Sequence, residues 1–177
     1  MVTIVQKEDQ VLRKISKEVP ISSITKPKIQ KVLLDMSEAL HSQNDGVAIA
    51  APQIGESLRI FIVAGKIFDE DFIKGKYPVE ENLYKKARTP DIIFINPSIK
   101  KISKDRKLMS EGCLSVRPIY GKVRRATKVT VEAYNEKGEK FTINGSGLLA
   151  HCFQHEIDHL DGILFIDKAK DLQEVFM

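Results

Sequence analysis

The stretch His155-Glu156-Ile157-Asp158-His159 decides how the rest of the chain is arranged. On an α-helix, residues four positions apart lie on one face, so both imidazoles can reach a single site. Two imidazoles on one face can bind a divalent metal ion, and Glu156 is close enough to exchange protons beside it. The pattern is short, so a chance match with both histidines in ordinary structural positions is the alternative.

The surrounding residues indicate that this helix is buried. Ser146 or Gly147 is expected to begin it, and Gly162 lies just past its end, where a left-handed residue closes many helices. Apolar residues cover most of its sides: Leu148, Leu149, Cys152, Phe153, Ile157 and Leu160. A buried helix tolerates two histidines and a glutamate only when they are paired or bound to metal, which favours a metal site over a chance match.

The rest of the chain is predicted to contain one more helix and several strands. The apolar residues of Pro27–His41 follow helical spacing, and Pro27 suits a first helical turn. Strands are predicted at residues 2–5, 59–64, 91–96, 129–134, 141–143 and 163–166, with a hairpin turn at 135–138. Residues 66–90 are charged, which predicts a surface excursion. Residues 167–177 are also charged and are predicted to form a short helix or a frayed end. The fold class is therefore α+β, with antiparallel β-sheets surrounding a central buried helix that carries the HEIDH motif.

Composition bounds the class of protein. The 177 residues, of which 42% are hydrophobic and 29% charged, predict one domain over 1–177 with a sizeable core. A net charge of +4 does not indicate direct recognition of nucleic acid. No apolar run is long enough to cross a membrane, and the first ten residues lack the layout of a secretory signal. Two cysteines are too few for a disulfide framework, so a reducing cytoplasm is expected.

A third metal ligand is needed, because two histidines leave a tetrahedral ion short of partners. The candidates are Cys113, Cys152 and acidic residues. Three protein ligands and a water make a catalytic site, whereas four protein ligands make a structural one. Cys152 lies three residues before His155, but its short side chain would have to reach along the helix axis. Cys113, in the stretch 111-EGCLS-115, could be delivered from a neighbouring strand and is the better candidate. A closed structural site with both cysteines is the alternative.

The stretch 46-GVAIAAPQIG-55 is small, apolar and uncharged. Small side chains let another backbone approach closely, as an extended peptide would. Gln53 is its one side chain with hydrogen-bond donors and acceptors. A tightly packed core strand and turn is the alternative interpretation of this segment.

Residues 46–53, 111–115 and 155–159 resemble, in order and spacing, the three motifs of the peptide deformylase family. The resemblance extends from the N-terminal strand to about residue 167. It implies an α+β fold with antiparallel sheets around a helix bearing two histidine ligands. It also implies an enzyme that removes the formyl group from the N-terminal formyl-methionine of new proteins. The implied location is the bacterial cytoplasm or an organelle, not the secreted space.

The resemblance also implies roles for individual residues. Glu156 corresponds to the general acid/base, and the Gln53 amide and the Leu114 backbone N–H to oxyanion donors. Glu111 corresponds to a structural acid paired with Arg125. The implied metal ligands are Cys113, His155 and His159. The implied substrate-binding residues are Gly46, Val47, Ala48, Met109, Glu111, Leu148 and Cys152, with Val47, Met109, Leu148 and Cys152 at the methionine pocket.

The implied reaction is hydrolysis of the formyl amide. The metal lowers the pKa of its water, the resulting hydroxide attacks the formyl carbon, and Glu156 passes the proton to the leaving amine. Ferrous iron is the expected metal, with zinc, nickel or cobalt as alternatives on the same ligands. The expected partners are nascent formyl-methionyl peptides. Transient association with the ribosome is expected. It is not expected to use the C-terminal helix with which some members dock, because the tail that ends at Met177 is shorter.

Four positions depart from the family pattern. Ala48 and Ile49 replace a glycine and a leucine, Arg117 displaces a proline by one position, and Tyr120 stands where an arginine is common. These residues are expected at the rim of the cleft, where they would affect rate and substrate preference rather than the chemistry. A zinc peptidase acting on internal bonds, and a metal-stabilised peptide-binding module with little activity, are the alternative functions.

Overall fold

The computed structural model describes residues 2–69 and 89–175. Within them lie two α-helices and eight strands, in an α+β architecture of antiparallel sheets, as predicted. In chain order the elements are α1 (Pro27–His41), β1 (Ala48–Ala50), β2 (Ile60–Val63), β3 (Ile92–Ile102), β4 (Arg106–Gly112), β5 (Ile119–Ala126), β6 (Lys128–Tyr134), β7 (Lys140–Ser146), α2 (Gly147–Leu160) and β8 (Lys170–Glu174). Short 3-10 helices occupy Gln10–Arg13, Ile21–Ser23, Ala51–Ile54, Gly65–Phe68 and Phe165–Asp167.

The strands form two sheets. The larger sheet has the order β1-β2-β3-β6-β7, the smaller one has the order β4-β5-β8, and the paired strands run antiparallel. The hairpin between β6 and β7 turns at Gly138, whose φ of 80° is a left-handed conformation that favours glycine.

The larger sheet lies between the two helices. Successive side chains of a strand point to opposite faces. Accordingly, Ile60 and Ile62 of β2 pack with α1, whereas Phe61 and Val63 pack with α2. Strand β2 is therefore buried on both faces, which explains its uninterrupted apolar sequence.

Aromatic packing determines where α2 lies on the sheet. Phe153 of α2 contacts Phe94 with ring centroids 5.2 Å apart, and Phe94 stacks on Phe61 at 4.4 Å. A Cβ at Gly145 of β7 would lie 2.7 Å from the Phe153 ring, so glycine is required for this approach. Gly162 follows the end of α2 with a φ of 74°, as predicted.

The C-terminal elements differ from the sequence-based prediction. The apolar run 163–166 was expected to be the closing strand, but Phe165–Asp167 forms a 3-10 helix. The closing strand is instead β8, in the segment predicted as a helix or frayed end. Leu164 and Phe165 are buried and anchor the turn, and Asp167 accepts a hydrogen bond from the Leu164 N–H (2.9 Å). Strand β8 is exposed and polar, so no alternation of apolar residues marks it.

Two further predictions concern residues 2–5 and residues 66–90. The strand predicted at residues 2–5 is wrong: Val5 donates a backbone hydrogen bond to the Gln53 carbonyl (2.9 Å), but the segment forms no strand ladder within the described residues. The excursion predicted at 66–90 falls mostly outside the described residues, but its start is not at the surface, since Lys66 and Ile67 are buried. Neither helix within the described ranges has the length and apolar character needed to cross a bilayer.

Candidate metal centre

The smaller sheet and α2 together bring three metal-binding side chains to one point. Cys113 directly follows β4, and His155 and His159 lie on α2. One ligand atom from each residue lies within 4.8 Å of the other two. Cys113 Sγ is 3.2 Å from His159 Nε2, and the two imidazole centroids are 4.9 Å apart. The spacing therefore suits a single ion held by one sulfur and two nitrogens.

A side chain of α2 fixes the helix against β5, the partner of β4. Gln154 Oε1 accepts from the backbone N–H of Ala126 (2.9 Å), and its Nε2 donates to the carbonyl of the same residue (3.0 Å). Gln154 is buried, so this pair of bonds is shielded from water. The two bonds hold α2 at a fixed position along β5, and so position the HEIDH stretch relative to Cys113.

The surroundings of the two histidines fit a bound cation. His155 Nδ1–H donates to Glu111 Oε2 at 2.8 Å, which leaves Nε2 for the metal in the carboxylate–histidine arrangement common at metal sites. Burial lowers the pKa of His159, so its imidazole is neutral as a ligand must be. Burial alone would also lower the pKa of His155, but hydrogen bonds with Cys113 and Glu111 outweigh it and raise that pKa.

Glu111 is the centre of a buried ionic network beneath these ligands. Its carboxylate contacts Arg125 Nε at 2.6 Å and His151 Nε2 at 2.7 Å, in addition to His155. Burial would raise the pKa of Glu111, but the hydrogen bonds from His151, His155 and Arg125 hold it well below its usual range. Arg125 also donates to Asp158 at 2.6 Å, so the network ties β4 and β5 to α2.

Removing Arg125 is expected to destabilise the protein. An Arg125→Leu variant leaves Glu111 and Asp158 without their guanidinium, and breaking a buried ion pair costs about 3–5 kcal/mol of unfolding free energy. The neighbouring Arg124 is exposed, so Arg124→Leu removes the same charge outside the network and is the matched control. Urea unfolding measures both; equal stability of the two variants would contradict this role for Arg125.

Glu156 lies on the cleft side of α2. It is buried, and its Oε2 has no hydrogen-bond partner among the described residues. Burial raises the pKa of Glu156 to about 7, close to neutral pH. A carboxyl group with such a pKa can both accept and return a proton.

Gln53 is oriented by the segment that contains it. Its Oε1 accepts from the Ala50 N–H at 2.8 Å, so the amide nitrogen points the other way. Gln53 Nε2 lies 3.2 Å from Ser115 Oγ and 3.5 Å from Cys113 Sγ. The backbone N–H of Leu114 makes no hydrogen bond within the described ranges, so it can serve as a second donor.

The residues proposed to bind substrate mostly line one cleft beside this cluster. Met109 lies on β4 opposite Val123 and is not among the lining residues. The cleft also contains Cys113, His155 and Glu156. Its other lining residues include Gly46, Val47, Ala48, Gln53, Glu111, Leu114, Leu148 and Cys152.

Cys152 and His151 line the cleft but lie outside the three-residue cluster. Cys152 is not part of the three-residue cluster, and burial raises the pKa of its thiol, which disfavours the thiolate form. His151, which sequence reasoning missed, contacts Glu111 and lines the cleft. Its position four residues before His155 places it on the same helical face, and this spacing was the available signal.

An α+β fold in which an H-E-x-x-H helix supplies two histidines and the end of a neighbouring strand supplies a cysteine fits a metal-dependent hydrolase. A family model described as polypeptide deformylase matches residues 1–175. Peptide deformylase 2 of Clostridium acetobutylicum is 43% identical over 90% of this chain and 89% of its own length. The peptide deformylase of Desulfitobacterium hafniense is 45% identical over 94% of this chain and 93% of its own length.

Solved structures agree with these relatives. A peptide deformylase from Legionella pneumophila has a TM-score of 0.77 and 37% identity, covering 96% of this chain and 86% of that one. The Met-Ala-Ser-bound class I type b peptide deformylase of Acinetobacter baumannii has a TM-score of 0.78 and 30% identity. The match covers 94% of this chain and 97% of that one. The chain belongs to the polypeptide deformylase family, metalloenzymes that remove the formyl group from the N-terminal formyl-methionine of nascent proteins.

Proposed function

We propose that residues 1–177 form one deformylase domain, built around α2 as its central helix. In it Cys113, His155 and His159 hold a divalent metal ion and Glu156 transfers the proton. The observation that carries this proposal is the meeting of one thiol and two imidazoles beside a buried carboxyl group. The bound ion would activate a water molecule and polarise the formyl carbonyl. Ferrous iron is the proposed ion; zinc, nickel and cobalt accept the same sulfur and nitrogen donors.

Glu156 is proposed as the proton carrier. Its carboxylate takes the proton of the attacking water and delivers it to the leaving amine nitrogen. The burial that raises its pKa to about 7 supports this role, since both protonation states are then accessible near neutral pH. The free Oε2 is the atom proposed to hold the proton.

Two donors are proposed to stabilise the negative charge that develops on the formyl oxygen. They are Gln53 Nε2, held in place by the Ala50 contact, and the backbone N–H of Leu114. Such preorganised donors act without reorientation during the reaction, and one contributes roughly 2.7–4 kcal/mol.

The apolar side of the cleft is proposed to select methionine. Val47, Leu148 and Cys152 offer apolar surface beside the proposed reaction centre. Burial of a methionine side chain contributes roughly 1.5–3 kcal/mol. Gly46, Ala48, Met109 and Glu111 complete the proposed substrate-binding residues. The Acinetobacter baumannii relative binds Met-Ala-Ser, which supports a methionyl peptide as the ligand here.

The proposed setting follows from the substrate. Nascent formyl-methionyl chains emerge in the bacterial cytoplasm or in organelles, and unpaired Cys113 and Cys152 are compatible with a reducing compartment. Association with the ribosome is proposed to be transient.

A formate-release assay on anaerobically purified protein, with metal analysis of the same sample, tests this function. We expect formate from formyl-Met-Ala-Ser and none after chelation of the metal. Cleavage of internal bonds in an unformylated peptide would instead indicate a peptidase. Tight peptide binding without formate from metal-loaded protein would indicate a binding module.

A further inference from the structure

An ion pair joins two segments at the rim of the cleft. Asp45 lies between α1 and β1, and Arg117 lies between β4 and β5. Arg117 Nη2 contacts Asp45 Oδ1 at 2.5 Å, and both residues line the cleft that contains Glu156. The side chains are 41% and 46% exposed, so an incoming peptide can reach both groups.

Asp45 has a second cation nearby, whereas Arg117 has no second anion among the described residues. Lys66 is 1% exposed, and its Nζ donates to the Asn44 carbonyl at 3.0 Å. Burial lowers the pKa of Lys66 to about 8, and the charges of Asp45 and Asp91 oppose that fall. Lys66 therefore lies near Asp45, because the carbonyl that it binds belongs to the preceding residue. Among the described residues, Asp45 is the one acidic group within 4 Å of Arg117.

This arrangement responds differently to acidic and basic ligands. When an acidic side chain of a bound peptide pairs with Arg117, Asp45 loses this partner but still has Lys66 as a neighbouring cation. When a basic side chain of a bound peptide pairs with Asp45, Arg117 has no other anion among the described residues. Because an exposed ion pair is weak, the existing contact can open at little cost in either case.

We propose that Arg117 selects substrates with an acidic residue at one of the two positions after formyl-methionine. This inference rests on the proposed function, since it concerns peptides bound in the same cleft. The planar guanidinium has five N–H donors, so it can hold a carboxylate through two parallel bonds. Arg117 contacts the bound peptide and not the reacting atoms, so the preference for an acidic residue should appear as a lower KM.

The test compares formyl-Met-Asp-Ala with formyl-Met-Asn-Ala and formyl-Met-Lys-Ala, using formate release by the metal-loaded full chain. We expect kcat/KM for the Asp peptide to exceed that for the Asn peptide about two- to fivefold, mainly through KM. A second set of peptides, with Asp, Asn or Lys one position later, tests the second position after formyl-methionine. The preference should shrink at ~1 M salt, where exposed charges are screened.

Two variants and a control assign the effect. Arg117→Gln should bring the Asp/Asn ratio to about one, and Asp45→Asn should increase it, because the guanidinium is then released. Arg124→Gln removes an exposed charge on β5 outside the cleft lining and should leave the ratio unchanged. If wild-type kcat/KM is equal for the Asp and Asn peptides at both positions, or if the preference for Asp survives Arg117→Gln, the inference is overturned. Formate release from these peptides would still support the deformylase activity. No formate from any peptide would instead count against the proposed function itself.

Discussion

Replacing Glu156 by glutamine is expected to lower kcat/KM for a formyl-methionyl peptide by roughly 10²–10⁴-fold, the usual contribution of a general acid/base. Glutamine keeps the size and polarity of the side chain but cannot take a proton from water. Because Glu156 is not among the proposed ligands, the variant should bind metal like the wild type. Formate release and metal content are measured on one preparation.

The metal measurement makes the Glu156→Gln result decisive. Loss of turnover with full metal content assigns the proton transfer to Glu156. Glu156→Ala should behave alike if the carboxyl group is what matters. Wild-type turnover in either variant would contradict the assigned role, and another group would have to carry the proton.

Cys113→Ala is expected to abolish both metal retention and formate release. Loss of a hydrogen-bond partner behind a ligand already costs about 10–100-fold in metal affinity, so loss of the ligand itself should cost at least that much. Cys152→Ala is the matched control, because Cys152 lies in the same cleft but outside the cluster. Competition with a chromophoric chelator measures the affinity of each variant.

The paired cysteine variants separate an open site from a closed one. If Cys152→Ala weakens metal binding as strongly as Cys113→Ala, both thiols bind the ion and the site is structural. If neither does, the two histidines find their third ligand elsewhere. Retained binding in Cys152→Ala alone agrees with the three-ligand site.

Local patterns in the sequence were enough to predict the two helices of the described residues. The apolar spacing of α1 and the apolar surroundings of HEIDH on α2 are features of neighbouring residues. The fold class follows from the same patterns, because runs of β-branched residues with short turns predict antiparallel strands. Strand β8 lacks such a pattern and is stabilised by pairing with β5, which only the folded chain reveals.

The site depends on contacts that no local pattern contains. His159 and Cys113 are 46 residues apart, and Arg117 and Asp45 are 72 residues apart. The first pair was inferred from metal chemistry, which demands a third ligand. The rim ion pair has no such requirement, since exposed charges find partners according to how loops pack. His151 had a helical-spacing signal, but its apolar neighbours concealed it.

X-ray absorption at the metal edge of the zinc-loaded protein tests the central claim most directly. The proposed site predicts one sulfur at about 2.3 Å and two imidazole nitrogens at about 2.0–2.1 Å, with one further light atom from solvent. The sulfur contribution should vanish in Cys113→Ala and persist in Cys152→Ala. A spectrum without sulfur, or with two sulfurs, from the folded wild-type protein would contradict the proposal.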